Sequence, residues 1–122
     1  MFKRAMTFAL AASCAGAFAV AAWAQDAPRG DAANGKRLYL ANNCFTCHGH
    51  AGQGGAFNGP APVLARTALP FEAFLFQIRN PSNDMPAYAA TVIPDQAAAD
   101  IFAFVQSLPG PRNAKDIAIL ND

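Results

Sequence analysis

Two cysteines and two histidines fall within seven residues of this 122-residue chain, in the run Cys44-Phe45-Thr46-Cys47-His48-Gly49-His50. This run constrains the fold more than any other feature. The cysteines are three positions apart, so they cannot staple distant parts of the chain to one another. A chain of this length has room for one domain. A domain of roughly 100 residues buries only about two-thirds of its unfolded surface and is marginal without help. With no long-range disulfide to provide that help, a bound group held by the ligand-bearing run is the natural way to complete the core.

The rest of the composition narrows the class. Charged residues make up only 14% and hydrophobic residues 53%, which excludes a solvated, disordered polymer. A formal charge of +1 excludes a strongly basic nucleic-acid binder. Much of the apolarity lies at the N-terminus. Lys3 and Arg4 form a positive start, Ala5 to Val20 an apolar stretch, and Ala22-Trp23-Ala24 a small-residue cleavage site. Residues 1–24 therefore read as a secretory signal peptide cut before Gln25, with the domain over 25–122. An uncleaved anchor helix and lipidation at Cys14 are the alternatives. Removing 24 of 122 residues leaves 98, with Lys and Arg falling from 9 to 7 against 8 acidic residues, a net charge of −1. The remaining soft or imidazole ligands are Cys44, Cys47, His48, His50 and Met85. No apolar run has the length of a mature bilayer span.

Three helical stretches are expected around a glycine-rich loop, giving an all-α fold. Asp31 or Asn34 can cap the first, which runs to about Asn42 with Leu38, Tyr39 and Ala41 on its apolar side. Gly35 inside it marks either a close helix contact or a late N-terminal turn. Residues 49–62 carry Gly49, Gly52, Gly54, Gly55, Gly59, Pro60 and Pro62, which predicts a loop. Pro70 opens a second helix at its first turn, running to about Arg79, with Phe71, Phe74, Leu75 and Ile78 on one stripe and Phe76 adding apolar surface. Asn80-Pro81 ends it. Pro94 and Asp95 open a third helix to about Leu108, with the stripe Ala97, Ile101, Phe104, Val105 and Leu108. Pro109-Gly110-Pro111 stops it, so the domain core spans about 31–109 and residues 110–122 form a C-terminal tail.

Cys44-Phe45-Thr46-Cys47-His48 has the C-x-x-C-H pattern of covalent c-type haem attachment. Two thiols on one turn can each add to a vinyl group of the same porphyrin, which holds the next residue, His48, beneath the iron as an axial ligand. Export is consistent with this, since such attachment follows it. A thioredoxin-like redox pair would need a strand–helix junction that the pattern does not offer. A zinc site would need a second ligand pair brought round from elsewhere. His50 is too near His48 to reach the opposite face of a haem. Met85, the single methionine of the exported chain, lies 37 residues beyond His48 in a polar loop and is the candidate sixth ligand. Its thioether suits low-spin iron. Lys36 and Lys115 are the alternatives.

Over about residues 31–109 the chain resembles the class I monohaem c-type cytochromes. Cys44-Phe45-Thr46-Cys47-His48 matches their haem motif, and Gly35, Tyr39 and Phe104 resemble the residues where their N- and C-terminal helices cross. The resemblance implies a small cytochrome c fold, three or more helices wrapped around one haem c bound through Cys44 and Cys47, with His48 and Met85 as axial ligands. Pro62-Val63-Leu64 resembles the segment whose proline carbonyl accepts a hydrogen bond from the ligand histidine, although Pro60 also follows a glycine and competes for that role. Met85-Pro86 with Tyr88 resembles the distal-ligand loop. Arg79 resembles a haem-propionate partner or serves as an exposed helix-end cation. Phe45, Leu64, Phe71, Phe74, Phe104 and Tyr88 would wall the haem. The implied function is one-electron transfer in the periplasm between redox partner proteins, by a carrier rather than an enzyme. The alternatives are a cytochrome subunit of a periplasmic dehydrogenase complex, for which the tail with Ile117, Ile119 and Leu120 is the only hint, and a thiol–disulfide oxidoreductase.

Overall fold

The computed structural model describes residues 28–55 and 61–120. Residues 1–24, expected to be a signal peptide, and Pro60 lie outside the described residues. Among those described there are four α-helices and no strand: α1 Ala32–Ala41, α2 Phe45–His48, α3 Phe71–Arg79 and α4 Asp95–Ser107. The all-α expectation holds. α2 is a single turn carrying the motif, which the three-helix reading had not separated out. Two 3₁₀ turns, Ala114–Asp116 and Ala118–Leu120, follow where an irregular tail was expected. No described helix is long and apolar enough to cross a membrane.

Asp31, not Asn34, caps α1. Its carboxylate accepts from the backbone N–H groups of Ala33 and Asn34 at 2.8 and 3.3 Å. Pro70 and Pro94 each sit one residue outside their helices as extended N-caps, so Phe71 and Asp95 are the first helical residues. The fixed φ of proline suits this position, where the missing N–H is no loss.

α1 packs chiefly on α4, and α3 meets α4 over a shorter stretch. Of the two readings of Gly35, the close contact is correct: a Cβ there would penetrate the Asp100 carbonyl and lie 2.9 Å from the Phe104 Cβ. Gly30, just ahead of α1, is also a contact residue, because a Cβ there would meet the Ala99 carbonyl and come within 2.9 Å of the Ala103 Cβ. Tyr39 and Phe104 meet edge to face beside this crossing, with ring centroids 5.3 Å apart. The core is built from Tyr39, Phe71, Phe74, Ile78, Ile93, Ala98, Ala99, Ile101, Phe104 and Val105. Phe76 is 65% exposed and points away from it.

Asp100 is the buried polar residue of the α1–α4 contact. Its carboxylate accepts from Asp31 N–H at 2.8 Å, Asn34 Nδ2 at 2.7 Å and Gln96 Nε2 at 3.0 Å. It thereby anchors the start of α1 to α4. The Asp31 backbone N–H is the main reason its pKa lies below the ordinary carboxylate value; desolvation opposes it, and the Asn34 and Gln96 amides add to it. A depressed folded-state pKa means that the stabilisation is complete above the unfolded value. It is lost as pH falls from about 4 through the lower folded value. We expect the denaturant midpoint to drop over that window in wild type. Asp100→Asn should be less stable at pH 7 and show a shallower acid slope; parallel pH profiles would refute this role for Asp100.

Backbone hydrogen bonds hold the described part of the glycine-rich segment and the residues after it. Gly54 N–H donates to His48 O at 2.8 Å, Leu64 and Ala65 N–H share Gly52 O at 2.8 and 3.0 Å, and Arg66 N–H reaches Val105 O at 2.9 Å. Gly54 has φ +73°, and a Cβ there would come within 2.6 Å of Ala61 O, so this turn requires glycine twice over.

Candidate functional site

A cavity of about 1330 Å³ opens between the motif turn, the end of α1, the segment after the glycine loop, α3 and the loop that follows α3. Cys44, Cys47, His48 and Met85 all line it. Its apolar walls are Tyr39, Leu64, Leu69, Phe74, Ile78, Ile93 and Ile101, with Pro62, Pro86 and Tyr88 completing the rim.

Local geometry explains how the motif comes to face this space. Cys44 N–H donates to Tyr39 O at 3.1 Å as α1 ends, and Asn43 adopts a left-handed φ of 57° that turns the chain into α2. His48 N–H then closes the turn on Cys44 O at 3.0 Å. Tyr39 fixes the far end, its hydroxyl donating to Gly49 O at 2.7 Å. Cys44 and Cys47 are not joined to each other. Burial, the largest cause, pushes the Cys44 thiol up to about 11, with its own backbone N–H pulling the other way and Cys47 adding a smaller upward push. That is the opposite of the lowered thiolate pKa a disulfide-exchange pair uses, and the described residues provide no strand–helix junction for one. Nor do three His, Cys, Asp or Glu side chains converge as a metal site among the described residues.

His48 is only 8% exposed, and its Nδ1 lies 3.0 Å from the Pro62 carbonyl. A carbonyl can only accept, so the proton resides on Nδ1 and the Nε2 lone pair is left free for a metal ion. Pro62 is the residue seen at this nitrogen, while the competing Pro60 lies outside the described residues. His50 turns outward and stacks on Phe45, ring centroids 4.5 Å apart.

The Met85 loop is pinned at several points. Tyr88 N–H donates to Ile78 O at 2.8 Å, and the Tyr88 hydroxyl crosses to Asn42 O at 2.9 Å. Arg79 does not face the cavity as a propionate partner would. Its guanidinium donates to Tyr88 O at 2.8 Å, Ile93 O at 2.7 Å and the Asp95 carboxylate at 2.7 Å, clamping the loop between α3 and α4. The expected aromatic walls are also corrected. Leu64, Phe74 and Tyr88 line the cavity, but Phe45 covers His50, while Phe71 and Phe104 pack in the helical core. Sequence reasoning missed Tyr39 as a wall and Ile78, Ile93, Ile101 and Gln77 as lining residues. Ile93 carried a usable signal, since it closes the apolar pair Val92-Ile93 directly before the helix-capping Pro94.

The donor set fits a haem. Two thiols, an imidazole with its metal-binding nitrogen free and a thioether share one largely apolar cavity, and no buried side-chain polar atom among the described residues lacks a partner. Fold and site together define a small monohaem c-type cytochrome.

Residues 30–105 match the family described as cytochrome c oxidase, cbb3-type, subunit III, and the chain belongs to that family. Comparison with curated proteins and with solved structures gives no match. Membership brings covalently attached haem c as the cofactor and electron transfer as the function, and Cys44 and Cys47 have the spacing that attachment uses.

Proposed function

We propose that this protein is a periplasmic one-electron carrier, its haem c attached through Cys44 and Cys47 and ligated by His48 and Met85. The observation that carries the reading is the lining of a single cavity by these four residues, with His48 Nδ1 committed to Pro62 O. Haem supplies reversible Fe(III)/Fe(II) chemistry. The protein's own residues do the rest. Pro62 fixes the imidazole, Tyr88 and Arg79 hold the Met85 loop at a set distance, and the apolar walls exclude water and lower the local dielectric. With His48 and Met85 both bound to the iron, no coordination position would remain for a substrate. The expected net charge of −1 for the exported chain predicts weak electrostatic steering and a small, transient docking interface with its redox partners. The family's description names an oxidase subunit, and Ile119 and Leu120, 80% and 62% exposed, favour such a docked role.

Spectroscopy of the axial ligand tests the proposal. The oxidised protein should show the weak near-infrared charge-transfer band of ferric iron bound to a thioether, and haem should survive acid–acetone extraction. Met85→Ala should abolish the band and admit carbon monoxide to the reduced protein. Met85→His should stay six-coordinate with a lower reduction potential, because imidazole favours the ferric state more than thioether does. A wild-type protein that lacks the band and binds carbon monoxide rapidly would exclude Met85 as ligand and a closed, carrier-type haem with it.

A further inference from the structure

Gln77 lies on the cavity side of α3, half-buried, beside the buried Ile78. Its side-chain nitrogen stands 4.0 Å from Met85 Sδ, at the outer edge of an N–H···S contact, and 3.4 Å from Ser82 Oγ. The surrounding backbone holds this approach in place. Asn80 N–H donates to Phe76 O at 2.8 Å and Tyr88 N–H to Ile78 O at 2.8 Å, so the loop bearing Met85 leaves and rejoins α3 on either side of Gln77.

A thioether sulfur has two lone pairs. Bonding to iron uses one, and the other can accept a hydrogen bond, weakly. We propose that Gln77 is a positioning residue for the redox centre: its amide N–H holds Met85 Sδ towards the iron and raises the reduction potential. The inference rests on Met85 being the ligand, as proposed above. Two effects act in the same direction. A hydrogen-bonded sulfur is a poorer donor to ferric iron, and with Met85 bound to the iron the positive end of the amide dipole would stand near the extra charge of the ferric state. Both favour Fe(II). Neither effect was legible in the sequence, where Gln77 is one polar residue on an otherwise apolar helix.

The test compares wild-type holoprotein with Gln77→Leu, Gln77→Glu and Ser82→Ala by potentiometric titration, with the near-infrared band recorded for each. Gln77→Leu keeps similar bulk but has no donor. It should keep the band and raise the oxidised-to-reduced ratio at fixed poise by about threefold to tenfold, tenfold being about 59 mV for a one-electron couple. Gln77→Glu should move the ratio further the same way at neutral pH, because a carboxylate near the iron favours the ferric state. Ser82→Ala should stay within about twofold of wild type, since the amide remains. A Gln77→Leu protein that keeps the band but matches wild type in potential would overturn this inference and leave Met85 ligation standing. A Ser82→Ala shift as large as that of Gln77→Leu would also overturn it, because loop anchoring through Ser82 would then account for the effect. Absence of the band in wild type would overturn both readings.

Discussion

Cys44→Ala and Cys47→Ala are each expected to reduce the yield of folded, coloured protein by about tenfold or more. The reason is the size of the space the motif faces. The cavity of about 1330 Å³ is walled by Phe74, Ile78, Ile93 and Ile101, side chains that belong to the same core as the helix contacts. Without haem these apolar side chains would face water or collapse on one another, and each large apolar side chain left exposed costs about 1.5–3 kcal/mol. Whole-domain stabilities are only about 5–15 kcal/mol. The two cysteines offer no long-range disulfide in compensation, since they lie three positions apart on one turn. Haem absorbance per milligram and far-ultraviolet circular dichroism of the purified variants give the answer. A haem-free variant as helical and as stable as wild type would show that the four helices hold their arrangement without the cofactor.

Gly35→Val should destabilise the holoprotein by about 3 kcal/mol, with Gly35→Ala close behind. For a domain of this size that corresponds to a fall in Tm of on the order of 10–20 °C. Helix propensity alone predicts the reverse, since alanine inside a helix is favoured over glycine by about 1 kcal/mol. The clash decides the sign. A Cβ at Gly35 would enter the Asp100 carbonyl, which is helix backbone and cannot rotate away, and would press on the Phe104 Cβ at 2.9 Å. Relief requires α1 and α4 to separate, which loosens the Tyr39–Phe104 contact and the Asp100 bonds to Asp31 N–H and Asn34 Nδ2. Tyr39 also walls the cavity and holds Gly49 O, so the damage should reach the haem environment as a shifted absorption spectrum. A Gly35→Ala protein with wild-type Tm would mean that the α1–α4 contact is looser than the structure shows.

Much of the site could be read in advance because its logic is local. The C-x-x-C-H spacing places three functional groups on one turn whatever the rest of the chain does, and Met85 stood out as the single methionine of the expected mature chain. The periodic stripe of α3 likewise identified Phe71, Phe74 and Ile78 as buried. What periodicity could not supply was the identity of the surface each side chain meets. Phe71, Phe74 and Phe104 are all buried apolar residues, yet only Phe74 lines the cavity. Arg79 shows the same limit for charge. A cation at a helix end was compatible with a propionate partner, but Ile93 O and Asp95, 14 and 16 residues away, claim its guanidinium.

The sequence by itself determined the helical class, the haem-binding turn and the candidate ligand set, because each rests on residues within a few positions of one another or on a residue type that occurs once beyond the expected signal segment. Only the tertiary structure decided that Pro62 meets His48, that Gly30 and Gly35 are contact points, that Asp100 fastens α1 to α4, and that Gln77 lies against Met85. Apart from the last, these contacts join residues 14 or more positions apart, and all of them depend on how loops return the chain to itself. Helical period fixes which face of a segment is apolar; the packing of faces against one another settles which polar groups are brought within bonding distance.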